Sequence, residues 1–177
     1  MTAAKAATAS MTAAGDGAEF VIARVFDAPR ELVWRAFTEP ERMQHWWGPK
    51  GFTVIASKMD FRPGGIYHYG MRAPDGSTMW GRFVYREIVR LERVVLVNCF
   101  SDEAGNITRH PLSPTWPLQM LSTFLFADED GATKLTIRWS PLDADETERA
   151  TFAGAHPSMQ QGWTGTLDRL AAYLAQA

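Results

Sequence analysis

A single cysteine, Cys99, stands in a chain of 177 residues. One thiol can form neither an internal disulfide nor a cysteine-based zinc cluster. Excess positive charge is also lacking. The formal net charge of -2 argues against a nucleic-acid or anionic-membrane partner, since both want a basic face. No apolar run reaches the roughly 18 residues a membrane helix needs. The opening "MTAAKAATASMTAAGDG" has one lysine and no apolar signal-peptide core. Residues 1–17 therefore read as a disordered tail, with Met11 an alternative start. Residues 18–177 read as a single domain of a cytoplasmic protein. "NIT" at Asn106 matches a glycosylation acceptor, by chance where no secretion signal is present.

Catalytic signatures are missing too. There is no G-x-S-x-G, H-E-x-x-H, G-x-G-x-x-G or P-loop. The four histidines (His45, His68, His110 and His156) form no short-spaced ligand pair. Neither a metal nor a cofactor is expected. Cys99, in an apolar strand, reads as an inert buried thiol.

Aromatic residues are plentiful: seven Trp and ten Phe. Each can bury about 150–250 Å², which suits a large core or a cavity lined with rings. "EFVIARVFDA" (19–28) is β-branched and aromatic and reads as a strand. Pro29 suits a first helical turn, and "PRELVWRAFTEP" places Leu32, Val33, Ala36 and Phe37 on one side of a helix. Thr38 and Glu41 fit a capping box for a second short helix, running to about Trp47 and ended by Gly48-Pro49. Six further strand segments extend to about residue 140, joined by short turns: an antiparallel meander. Asp143 and Glu146 suggest the next helix start, and His156-Pro157 interrupts the helical pattern. Beyond it Met159, Trp163, Leu167, Leu170 and Leu174 form one apolar stripe. With no other large helix, the sheet is the surface available to cover it.

The segment "MQHWWGPKGF" (43–52) raises a particular question. Adjacent helix positions do not share a face, so Trp46 and Trp47 need separate homes. One can plug the core, while the other shields the sheet edge or lines a cavity mouth.

Four segments carry a family resemblance: "ARVFDAPRELVWRAFTEPERMQHWWGP" (23–49), "PGGIYHYGMRAPDG" (63–76), "GRFVYREIVRLERVV" (81–95) and "GWTGTLDRLAAYL" (162–174). Together they resemble the START-like, or SRPBCC, superfamily. Within it, the match is to the group named after the C-terminal domain of the heat-shock protein 90 ATPase activator. The resemblance implies an α+β helix-grip fold: a curved seven-stranded antiparallel sheet around a long C-terminal helix, with two short helices between strands 1 and 2. It also implies an internal cavity between sheet and helix. It names no catalytic motif, and fold alone does not fix function.

Strand parity then selects the cavity wall. Tyr67, Tyr69 and Met71 point inward from one strand, Phe83 and Tyr85 from the next, and Met120, Ser122, Phe124 and Phe126 from another. Leu135, Ile137 and Trp139 do so from the last, with Met159, Trp163 and Leu167 opposite. The expected ligand-binding set is Tyr67, Tyr69, Phe83, Tyr85, Met120, Phe124, Trp139, Met159 and Trp163. Apolar walls with few polar groups are what ligand pockets look like. Glu87 shares the inward parity of Phe83 and Tyr85. It is the one acid/base candidate, unless it pairs with an arginine such as Arg24 or Arg82; Arg24 itself reads as a partner inside the barrel. The loop at 105–117 holds three prolines, His110 and Trp116. It reads as a lid or as cover for a sheet edge.

Three functions compete: a binder of a small hydrophobic molecule, a cyclase- or hydrolase-type enzyme, and a chaperone-contacting module. The first is favoured because no nucleophile–base pair is evident. Assembly as a homodimer is left open.

Overall fold

The computed structural model describes residues 19–177, so the tail expected at 1–17 lies outside the described residues. The order is β1 (Phe20–Phe26), α1 (Arg30–Thr38), α2 (Pro40–Met43), β2 (Thr53–Met59), β3 (Ile66–Arg72), β4 (Thr78–Val89), β5 (Arg93–Ser101), β6 (Ile107–Thr108), β7 (Gln119–Glu129), β8 (Ala132–Leu142), α3 (Glu146–Gly154) and α4 (His156–Leu174). The strands form one antiparallel sheet in the order β1-β8-β7-β5-β4-β3-β2. The first strand thus pairs with the last. β6 adds an eighth, two-residue strand on β5, beyond the seven expected.

The helix-grip fold is present: α4 lays Met159, Trp163, Thr166, Leu167, Leu170 and Leu174 against the sheet as its buried side. The helical pattern is interrupted at His156-Pro157 as expected, since α3 ends at Gly154 and α4 begins at His156, and Pro157 lies in no helix interior. It occupies the first turn, where its missing N–H has no intrahelical partner to lose. α1 buries Val33, Trp34, Ala36 and Phe37. Trp34 meets Phe126 at 5.2 Å between ring centres, and Phe37 meets Phe124 at 5.3 Å.

Both expected caps are corrected. Thr38 still belongs to α1, and its hydroxyl donates to the Trp34 carbonyl at 3.0 Å. Glu39 takes the N-cap position of α2, and its carboxylate is engaged by Arg35 and Arg42 instead of backbone N–H groups. At α3 the capping box forms two residues later than expected. Asp145 accepts from the Glu148 N–H at 2.8 Å, and Glu148 accepts from the Asp145 N–H at 3.0 Å. Asp143 instead bends the chain with φ 51°.

Two further expectations fail for identifiable reasons. β4 carries a β-bulge at Arg86: Tyr85 pairs with Leu96, but Glu87 pairs with Val95. One extra residue reverses the facing of the residues after it. Glu87 therefore points to solvent, ion-paired with Arg93. Arg24 is not inside the barrel either. It bonds Asp168 of α4 at 2.6 Å, where Lys50 joins at 2.9 Å, so this triad clamps β1 to α4 from outside.

Candidate ligand-binding site

The two tryptophans after α2 have separate homes. Trp46 is fully buried. Its ring packs on Phe37, and its N–H donates to the Ala36 carbonyl at 3.1 Å. Trp47 turns the other way, toward Tyr69, Phe83 and Trp163, at 5.8, 5.5 and 5.8 Å between ring centres. Gly48 comes next with φ 98°, and a Cβ there would lie 2.5 Å from the Met71 sulfur. Only glycine lets the chain turn this close to β3. Arg169 of α4 holds the turn by donating to the carbonyls of Trp47, Gly48 and Pro49 at 3.2, 3.0 and 3.0 Å.

Behind this turn lies a pocket of about 250 Å³. The sheet supplies Tyr69 and Met71 from β3, Met79 and Phe83 from β4, and Asn98, Cys99 and Phe100 from β5. Met120 of β7 and Trp139 of β8 complete that wall. α4 contributes Met159, Gly162, Trp163 and Thr166, and the loop between β6 and β7 brings His110, Trp116 and Pro117. Among the described residues, no lysine, arginine, aspartate or glutamate lines it.

Of the expected ligand-binding residues, Tyr69, Phe83, Met120, Trp139, Met159 and Trp163 come together here. Tyr67, Tyr85 and Phe124 do not. They point inward and are buried, but they lie within the filled core. Tyr67 stacks on Tyr69 at 5.1 Å and accepts from the Ser57 hydroxyl at 3.4 Å. Tyr85 meets Phe61, and Phe124 meets Phe37. Ser122 is likewise behind the wall, donating to the Asn98 side-chain oxygen. Glu87 is remote from the pocket, because the bulge in β4 turns it outward.

Asn98 was not anticipated, although a signal existed. It is the one polar residue after Arg93 in "RVVLVNCF", at the inward parity of Val94 and Leu96. Close packing also has a sequence trace. Tyr69 pairs with Gly81 across β3 and β4, and a Cβ on Gly81 would meet the Tyr69 hydroxyl oxygen at 2.5 Å. Gly81 is the room into which Tyr69 lies down.

The loop does two things. Its β6 residues pair with the end of β5, beyond the reach of β7, and so cover backbone that would otherwise be an open edge. The rest closes the pocket mouth. Arg109 bonds Glu148, Thr115 bonds Thr151 at 2.9 Å, and Trp116 packs on Phe152 at 5.6 Å, so the mouth is fastened to α3. His110 packs on Phe100 at 4.6 Å, and its Nδ1 accepts the Leu112 N–H at 3.0 Å.

The titratable groups here favour their neutral forms. Burial pushes the Tyr69 phenol well above the ordinary tyrosine value and raises the Cys99 thiol. It lowers His110 below the usual imidazole range. Charged forms lose hydration in such a site, so the thiolate of Cys99 is disfavoured. Among the described residues no cluster of three or more His, Cys, Asp or Glu is placed to hold a metal. No helix among them is long and apolar enough to cross a membrane.

Comparison with known proteins agrees with this architecture. A structure from Arthrobacter aurescens superposes with a TM-score of 0.75 at 23% identity, covering 91% of this chain and 88% of that one. One from Chromobacterium violaceum gives 0.68 at 26% identity, covering 88% and 96%. The AHSA1 protein of Silicibacter pomeroyi gives 0.66 at 21% identity, covering 89% and 98%. No curated protein sequence matches the chain. The model of the family described as Activator of Hsp90 ATPase homolog 1-like protein matches residues 27–175, and the chain belongs to that family, within the START-like superfamily.

Proposed function

We propose that this protein binds a small hydrophobic or aromatic molecule between the sheet and α4, and does not turn it over. The observation that carries the reading is the pocket of about 250 Å³, walled by rings and thioethers, with no carboxylate or cation lining it among the described residues. Its size suits a small guest, since an apolar cavity of roughly 150 Å³ suffices for benzene. Two fused rings need somewhat more. Burial raises the Cys99 thiol and so disfavours its reactive thiolate form. A cytoplasmic location fits a chain with one free thiol.

The test is an intrinsic-fluorescence titration with isopropylnaphthalene, because Trp47, Trp139 and Trp163 all line the pocket. Saturable quenching that disappears in Met120→Trp supports the reading. Unchanged emission through the solubility limit contradicts it. The family description carries a second reading, contact with a chaperone ATPase. Stimulation of Hsp90 ATPase by the purified protein would favour it.

A further inference from the structure

The outer face of the sheet, turned away from the ligand pocket, carries a groove of its own. Tyr67 and Tyr69 point inward, so His68 between them points outward. The register sets Lys58 of β2 on one side of His68 and Arg82 of β4 on the other. The turn between β2 and β3 and the turn after β5 rise at the two flanks, and the space between them is about 400 Å³. The second turn fixes the floor. Arg82 donates from one Nη to the Gly105 carbonyl at 2.8 Å. His68 donates from Nε2 to the Asp102 carbonyl at 3.1 Å, and its ring stacks on Trp80 at 5.2 Å between centres. The Asp102 carboxylate is spent within its own turn, accepting from the backbone and side-chain N–H groups of Asn106 at 2.8 and 2.9 Å. The turn therefore offers this row carbonyl oxygens and no negative charge.

Charge in the groove does not balance. Lys58, Arg62 and Arg82 line it against one carboxylate, that of Asp60. Asp60 pairs with Arg62 at 2.8 Å. Among the described residues, neither Lys58 nor Arg82 has a carboxylate partner. Other arginines of the sheet do: Arg24 on β1, Arg93 on β5 and Arg138 on β8 are each ion-paired. Lys58 and Arg82 stand two strand spacings apart, or about 10 Å, which leaves room for a small anion between their ends. Arg82 is half-buried, and a charge withdrawn from water without a partner is costly.

We infer that this groove is an anion site for the phosphate-monoester group of a small molecule, held between Lys58 and Arg82. Two unmatched cations call for a dianion, and a phosphate monoester carries about -1.5 to -2 at pH 7 on three acceptor oxygens. A monocarboxylate would offset half of the surplus. An arginine fork beside a lysine point charge is also the side-chain chemistry that recognises phosphate. The site lies on the opposite face of the sheet from the ligand pocket. It does not rest on the proposed binding function, and either can fail without the other.

The test is an NMR titration of the unaltered protein with glycerol 3-phosphate, in phosphate-free buffer at constant ionic strength. Glycerate, of similar shape with one negative charge, is the comparison. Glycerol 3-phosphate should bind saturably, about tenfold or more tighter than glycerate. It should shift the backbone amides of Lys58, His68, Arg82 and Gly105 and leave Trp163 in place. Lys58→Gln should weaken binding about tenfold. Lys134→Gln, at an exposed lysine of β8, should not change it. Lys58 is exposed, so its variant folds, and the test stands even where an Arg82 substitution loosens the Gly105 turn. Sedimentation with phosphatidylcholine vesicles containing phosphatidic acid separates the two sources of such a group. Binding to vesicles that is lost in Lys58→Gln supports the site with a lipid headgroup as its ligand. Binding of glycerol 3-phosphate without sedimentation supports it with a soluble one. No saturable shift together with no sedimentation overturns the inference. So does glycerate binding as tightly as glycerol 3-phosphate, or undiminished affinity in Lys58→Gln.

Discussion

The inner face of the sheet is split into two halves that look alike in sequence and behave differently. In one half, Tyr85, Phe124 and Phe126 meet Phe61, Trp34 and Phe37, with Trp46 plugging the remaining space. In the other, Tyr69, Phe83, Met120 and Trp139 face a pocket. Both halves alternate inward aromatics along the same strands. The difference is what stands opposite. α1 and its bulky side chains fill the first half, whereas the second is spanned by the Trp47 turn, α4 and the β6–β7 loop. Trp163 marks the border, touching Phe124 on one side and Trp47 and Trp139 on the other. An aromatic face is thus neither core nor pocket by composition; the covering element decides.

The largest expected effect lies in the filled half. Trp46→Ala removes a fully buried indole with a bonded N–H and should cost about 3–5 kcal/mol in chemical denaturation. Trp47→Ala should cost less, because one side of that ring borders open space and lacks contacts to lose. Equal losses would erase the distinction between the halves.

The next effect is alkaline. Burial pushes Tyr67 from 10.0 up to about 12, and raises Tyr69 and Tyr85 as well. In the unfolded chain a phenol ionises near 10, while the folded protein retains the proton. The unfolded state then binds fewer protons, so stability falls as pH rises above 10. The Tyr67 share, roughly 2–3 kcal/mol, is present below pH 10 and lost by about pH 12. Phenolate absorbance and urea midpoints measured together should show it, and Tyr67→Phe should flatten that part of the curve.

Sharper discrimination comes from Met120→Trp. It should grow into the pocket and lower isopropylnaphthalene affinity about tenfold or more, or roughly 1.4 kcal/mol, while the melting temperature holds. The smallest effect belongs to Glu87→Gln. This exposed carboxylate pairs with Arg93 across the bulge, so stability should move by less than about 0.5 kcal/mol and probe affinity not at all.

Much of this architecture is legible in the sequence. Strand parity in "TKLTIRW" correctly turns Leu135, Ile137 and Trp139 inward, since nothing interrupts β8 there. It fails at Glu87 because a bulge is a pairing event between two strands, and neither strand announces it alone. Helix starts are placed within two residues. Their capping partners are not, because Arg35 and Arg42 compete for Glu39. For the site, strand parity and helical spacing together gather nine candidates without saying how far along the strands the filling runs. That depends on where α1 docks, a long-range contact with no local signature. The inward parity of Asn98 is legible in the sequence, but its bond with Ser122 becomes visible only once the walls are assembled.

The division of the inner face is tested most directly by an NMR titration with isopropylnaphthalene, tracking side-chain resonances in both halves at once. The account predicts that Tyr69, Met120, Met159, Trp139 and Trp163 shift in a saturable manner, while Tyr85, Phe126 and Trp46 stay in place. Equal shifts across both halves, or saturation with no shift at Met120 and Trp139, would contradict it.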